Sequence, residues 1–344
     1  VGGENNAFTN TDITNYYLTV GADNIETGFW LESDRMLSLS FDPKVLEVQR
    51  KVVIEEFKQR YLNQPYGDVW LKLRPLAYHV HPYQWATIGK EISHIEQATV
   101  EDVKDFFYSH YLPNNAILVV AGNVKTQQVK DLSAKWFGPI PAGKKRARNL
   151  PAEPKQQQKR VAEVRADVPA EALYKAYHMP GRFDIDFHAA DLTSDVLGRG
   201  DSSRLYQALV KEKQIFNSIS CFTMGTIDPG LVVINGRVRQ GVELKEAEKG
   251  LDEVVANFMI LGASDLELEK VKNQALSTIE FGEVELLNRA MNLAFSALSG
   301  NVGLVNKERD LINKVNLQDI NRMSKQIFRE ENASVLYYYS NQDK

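Results

Sequence analysis

Cysteine is almost absent: Cys221 stands alone among 344 residues. No intramolecular disulfide can form, and its strand-like surroundings (218–224) mark a buried thiol rather than a redox centre. Long apolar runs are missing too. The longest, AILVVAG at 116–122, falls far short of the roughly 18–20 residues that a membrane span requires, which excludes a span. Positive charge is not in excess, with 41 Lys and Arg against 45 Asp and Glu and a formal charge of −4, so a nucleic-acid surface is excluded as the main function. The opening VGGENNAFTN has neither an initiator Met nor a signal peptide, so any targeting segment lies outside these residues. What is present is an ordinary folded composition, 43% hydrophobic and 25% charged, in a length that suggests two domains.

The clearest boundary is 139–160, PIPAGKKRARNLPAEPKQQQKR, with four of the twelve prolines and seven Lys or Arg against one Glu. Such a stretch reads as an exposed basic linker between domains at 1–138 and 161–344. The two domains echo each other. Shifting the chain by 217 residues sets Ile95, Asp102, Val103, Tyr111, Asn115 and Ala116 against Ile312, Asp319, Ile320, Phe328, Asn332 and Ala333 without a gap. Each time, a capped amphipathic helix (100–111 after Thr99; 317–328 after Asn316) leads through a turn with Asn-Ala into an expected buried strand, AILVVAG or SVLYYYS. Alternating β-branched and aromatic residues predict strands at 5–9, 14–20, 161–168, 172–178, 218–224 and 231–239. Helices are expected at 24–37, 43–61, 184–197 and 203–213, and through most of 242–298. Strands followed by helical blocks predict the α+β class, as two related repeats.

One helix carries chemistry on its apolar face. Asp42 is a good N-cap and Pro43 a good first residue for SFDPKVLEVQRKVVIEEFKQRY. At about 100° per residue from Val45, the residues Val48, Val52, Val53, Leu46 and Phe57 span an arc from about −60° to +120°. Gln49 and Glu56 fall inside it. A carboxylate facing a core needs a metal, an Arg or a helix N-terminus to compensate it, unless the helix end is open and Glu56 reaches water.

The run GGENNAFTNTDITNYY, the helix ending VVIEEF, the segment HPYQWATIGKEISHI and the helix into YLPNNAILVVAGNV resemble, in that order, the M16 zinc metallopeptidases, the pitrilysin and insulinase family. GRGDSSRLYQALVKEK resembles a segment of that family's inactive-half repeat. The resemblance implies two M16-type repeats, each an antiparallel-rich sheet packed on helices, and a parent activity of hydrolysing short or unfolded peptides. It places Glu56 at the family's third zinc-ligand position and Gln49 where a second acid often stands. It also makes the strand of Asn6, Ala7 and Phe8 the edge on which a peptide is laid as an added strand.

Two departures qualify it. No HxxEH motif occurs: the histidines are His79, His81, His94, His110, His178 and His188, and the family places that motif just before GGxxNAFT. The resemblance therefore implies zinc in the full-length protein and a chain that, as written, is not catalytic, since a catalytic zinc takes three protein ligands and a water. His79 and His81 as a replacement pair are disfavoured by the polar loop before Pro82. The family's substrate-contacting Arg and Tyr fall on Lys211 and Ser218, which lack the guanidinium fork and the phenol donor. That pattern implies the zinc-bearing subunit of a heterodimer with an M16 subunit carrying the Arg and Tyr; a homodimer is the alternative pairing. The competing reading is a non-catalytic scaffold or substrate-binding subunit of the same fold.

Overall fold

The computed structural model describes residues 2–144 and 148–341; three residues of the basic stretch at 139–160 lie outside the described part. The chain forms two compact units, each assembled from separated segments: Val1–Phe57, Thr87–Asn149 and Thr278–Glu308 in the first, Lys58–Ala86, Leu150–Ser277 and Arg309–Lys344 in the second.

In the first unit a hairpin of β1 (Glu4–Thr9) and β2 (Thr14–Thr19) is followed by α1 (Ile25–Leu37) and α2 (Pro43–Phe57), then by α4 (Ile92–Gln97), α5 (Val100–His110) and α6 (Thr126–Phe137), with α3 (Val69–Ala77) belonging to the second unit. The hairpin closes in antiparallel register, Thr9 opposite Thr14 and Glu4 opposite Thr19. Asn10 makes the turn: its N–H donates to Ile13 O, and its side-chain oxygen accepts from Asp12 and Ile13 N–H at 2.8 and 2.9 Å. Gly3 enters the strand at φ +135°, where a Cβ would lie 2.5 Å from Thr19 O, so only glycine fits. Leu18 packs against Gly28 of α1. Tyr16 is covered by the Arg35 guanidinium, 4.1 Å from its ring centre, and hydrogen-bonds the Tyr111 hydroxyl.

The expected strand at 116–122 is a correction. Ala116 is extended, at φ −116° and ψ 152°, but no pairing is made there among the described residues, and Ile117 and Leu118 are nearly half exposed. A β-branched run favours extended backbone, but a strand exists only where another edge takes its N–H and C=O groups.

The second unit is built on five strands, β3 (Arg160–Ala166), β4 (Ala172–Met179), β5 (Phe216–Met224), β6 (Gly230–Val238) and β7 (Ala333–Ser340), in the order β3-β7-β4-β6-β5. Only β3 with β7 is parallel. Central β4 is buried on both faces. Ala172, Tyr174 and Ala176 pack with Val69, Leu73 and Ala77 of α3. The opposite face is covered by α7 (Phe187–Gly198), α8 (Leu244–Leu261) and α12 (Leu317–Ile327). Of the remaining helices, α9 (Asp265–Gly282) runs from the second unit into the first, α10 (Leu286–Leu298) belongs to the first, and α11 (Glu308–Lys314) returns to the second. Lys175 is buried on that face against Asp252 at 2.5 Å and Glu248 at 3.4 Å. Burial opposes the Glu248 charge, but hydrogen bonds from Lys159 and Tyr337 hold its carboxyl below the usual range.

The two capped helices of the internal repeat are both present. Thr99 and Asp102 form a reciprocal capping box on α5, as Asn316 and Asp319 do on α12. Residues 206–212, expected within an α-helix, run instead as a π-helical segment with Leu209 fully buried. The extended part of the basic stretch is docked. Glu153 accepts from the backbone N–H of His79, Val80 and His81 at 2.8–2.9 Å, and Gln156 is 2% exposed and donates to Ala333 O.

At the end of α7 a Cβ on Gly198 would lie 2.1 Å from Cys221 N, so glycine lets β5 approach the helix. One turn earlier, burial pushes the Asp195 carboxyl up to about 6, despite its 2.8 Å bond from Arg199. A raised folded-state value stabilises the protonated form. That stability is fully present below the ordinary value of 3.8 and is lost as pH rises through about 6. Asp195→Asn should therefore remove about 1–3 kcal/mol of this loss and leave the variant more stable than the parent at pH 8. Urea denaturation at pH 4 and pH 8 measures it; an unchanged difference between the two pH values would contradict the prediction.

Candidate functional site

The segment 4–9 is a strand with a free side. Its residues are exposed throughout, and among the described residues β1 pairs with β2 alone. Which groups face outward follows from the register. Asn10 N–H bonds Ile13 O across the turn, so residues alternate from there: Phe8 with Asn15, Asn6 with Tyr17 and Glu4 with Thr19 exchange main-chain hydrogen bonds. Thr9 with Thr14, Ala7 with Tyr16 and Asn5 with Leu18 are the intervening, closer pairs. Thr9 and Thr14 hydroxyls lie 3.3 Å apart, as such a pair requires. The N–H and C=O groups of Asn5, Ala7 and Thr9 therefore point away from β2. Side chains alternate accordingly, with Ala7, Tyr16 and Leu18 on one face and Asn6, Phe8, Asn15 and Tyr17 on the other.

Helix α2 starts where its sequence dictates, Asp42 accepting from Lys44 N–H at 2.8 Å. Its apolar arc is only partly used. Phe57 is buried and Leu46 and Val53 are half-buried, while Val45, Val48 and Val52 are 51%, 59% and 53% exposed. Arg50, on the packed edge, donates to Ile95 O at 3.2 Å and Ala98 O at 2.6 Å, at the end of α4. The centre of the arc is thus the border of the packed surface, nearer to the open-ended alternative than to a core. Gln49 is exposed and Glu56 half-buried, two turns apart.

Among the described residues no group of three His, Cys, Asp or Glu side chains is placed to hold a metal ion. A catalytic zinc needs three protein ligands, and Glu56 offers one. These residues do not by themselves fit the ion. The His79–His81 loop supplies no ligand pair. His81 is buried, its Nδ1 accepts from Tyr83 N–H at 3.2 Å and its Nε2 then donates to Asp228 at 3.0 Å, so both ring nitrogens are engaged.

In the second unit Lys211 is exposed on the π-helical segment, its Nζ 5.7 Å from the Tyr206 ring centre. Ser218 is exposed on β5, at a register shift between Phe216 and Ser218. Arg199, first of an Arg-Gly-Asp tripeptide, is paired with Asp195, and Gly200 turns at φ +78°. Cys221 is buried, and burial pushes its thiol well up, away from nucleophilic use. Nothing in the local sequence pattern signals the Glu153 cradle or the His81–Asp228 pair, whose members lie 72 to 74 and 147 residues apart.

The chain is similar to known proteins over most of its length. The family model described as the Peptidase M16 inactive domain matches residues 97–275. The zinc protease PqqE of Helicobacter pylori is 29% identical over 342 residues, 98% of this chain and 76% of that protein. The crystal structure of a protease from Helicobacter pylori superposes with a TM-score of 0.91 at 26% identity, over 98% of this chain and 82% of that one. The mitochondrial-processing peptidase subunit beta of Caenorhabditis elegans is 26% identical over 176 residues, 49% of this chain and 35% of that protein. With that fold, and with a family model covering more than half its length, this chain belongs to the M16 family of peptidases.

Proposed function

We propose that this chain holds an extended peptide as an added strand on β1 in a zinc-dependent M16 peptidase. The observation that carries the reading is the open main-chain edge at Asn5, Ala7 and Thr9, derived from the hairpin register. Three outward residues over five positions offer paired donors and acceptors along about 14 Å of strand. Such an edge recognises backbone rather than side chains, which suits a peptidase of short or unfolded peptides. Asn6 and Phe8 then border the bound strand on one face and Ala7 on the other.

Glu56 is the one residue here proposed for the zinc, with Gln49 beside it as a hydrogen-bonding neighbour. The two histidines and the general base come from residues outside these 344. When bound, the metal supplies an activated water; this chain's part is to present the substrate and one carboxylate. Lys211 and Ser218 do not replace an Arg and a Tyr, so the pair belongs to a second, different M16 subunit in a heterodimer. The curated relative named as a processing-peptidase subunit supports this reading. The same substitutions, with Gln49 in place of an acid, favour as a second reading a non-catalytic substrate-binding subunit.

Two outcomes are expected. Amide exchange with and without an unstructured ten-residue peptide should show added protection at Asn5 and Thr9 and a smaller gain at Ala7, whose N–H already bonds the Asn6 side chain, with Asn6 and Phe8 little changed because β2 already protects them; protection appearing only on other strands would sink the strand-addition reading. Metal analysis should find well under one zinc per 344-residue chain. A polypeptide joining these residues to an HxxEH helix should hold one zinc, reduced about 10-fold or more in affinity by Glu56→Gln, and should need a second M16 subunit for full peptidase activity. Stoichiometric zinc in the 344 residues alone, or full activity without a partner, would overturn these assignments. A zinc-free joined polypeptide would favour the non-catalytic reading.

A further inference from the structure

The open edge of β1 is not empty at its centre. The Asn6 side-chain oxygen accepts from the Ala7 N–H at 2.8 Å. The register shows that this N–H is one of the outward ones, so Asn6 covers the middle donor of the row. Asn6 shares its face with Tyr17, directly opposite on β2, and it is exposed, so its amide can swing away without repacking a core.

We propose that Asn6 is a displaceable cap on the peptide edge and a specificity-determining residue. This rests on the strand-addition reading. An incoming carbonyl opposite Ala7 must replace the Asn6 oxygen, so one hydrogen bond is exchanged for another and the central contact contributes little net affinity. Binding then depends on Asn5 and Thr9 at either side, which selects ligands that stay extended across all five residues. The released amide carries both a donor and an acceptor beside the bound backbone, available to a polar side chain or carbonyl of the ligand. Without a ligand, the cap interrupts the row of outward N–H donors that another chain's edge would pair with.

The test is a coupling measurement with the 344-residue chain and a fluorescent, unstructured ten-residue peptide. Asn6→Ala should bind roughly 3-fold to 10-fold more tightly, the scale of one net hydrogen bond. Asn6→Asp should bind more weakly than the parent, because a carboxylate holds the Ala7 N–H more strongly. Misfolding cannot give both signs. Replacing each peptide bond of the ligand in turn by an alkene should expose one position whose loss costs more in Asn6→Ala than in the parent, where the cap takes the donor back. Equal or weaker binding by Asn6→Ala, with Asn5, Ala7 and Thr9 still protected by the peptide, overturns the cap and leaves strand addition standing. Absence of peptide protection on β1 in both proteins overturns strand addition, and the cap with it.

Discussion

Every strand at the margin of a sheet has main-chain donors and acceptors that its neighbour does not reach, and this molecule is arranged around where those groups go. In the five-stranded sheet the two margins are unlike. Along β3, outward Glu163 and Arg165 alternate with half-buried Ala162, Val164 and Ala166, and charges of both signs discourage further pairing. Along β5 a register shift at Phe216 and Ser218 breaks the regular row. The β1 margin has neither device. It has a short exposed strand and one amide folded over its central N–H.

The contrast between the units follows the same logic. The strand β4 is covered on both faces, so it tolerates a lysine only because Asp252 and Glu248 meet it there and Lys159 and Tyr337 complete the network. Around the hairpin, burial is partial, and polar contacts do more of the positioning: the Tyr16–Tyr111 hydroxyl pair, the Arg35 guanidinium over Tyr16, and Lys135 with Glu26.

What could be read in advance was what short-range chemistry controls. The start of α2 at Asp42 and Pro43, the twin caps at Thr99 and Asn316, and the alternation of β1, β2, β5 and β6 all depend on residues within a few positions of one another. The α+β class and the duplication followed from these. Three things were out of reach because they depend on distant partners. The run at 116–122 has strand composition but finds no pairing edge. The wheel of α2 shows which residues share a face, not how much of that face is covered, so it left open whether Glu56 meets a core or water, and Val45, Val48 and Val52 on the same face are exposed. Residues 148–160 have a linker's composition, but Glu153 and Gln156 tie them down through partners some 70 to 180 residues away. For the site, the strand of Asn6, Ala7 and Phe8 was legible as a motif; which of its main-chain groups face outward, and the amide lying across one of them, required the register.

The close approach of Gly198 to Cys221 has a practical side. With its one thiol enclosed between helix and strand, the protein behaves toward soluble alkylating and oxidising reagents as though it had no cysteine. A cysteine introduced anywhere on its surface would then be the single addressable handle, so spin labels, fluorophores or cross-linkers can be attached one at a time without first engineering the native residue away.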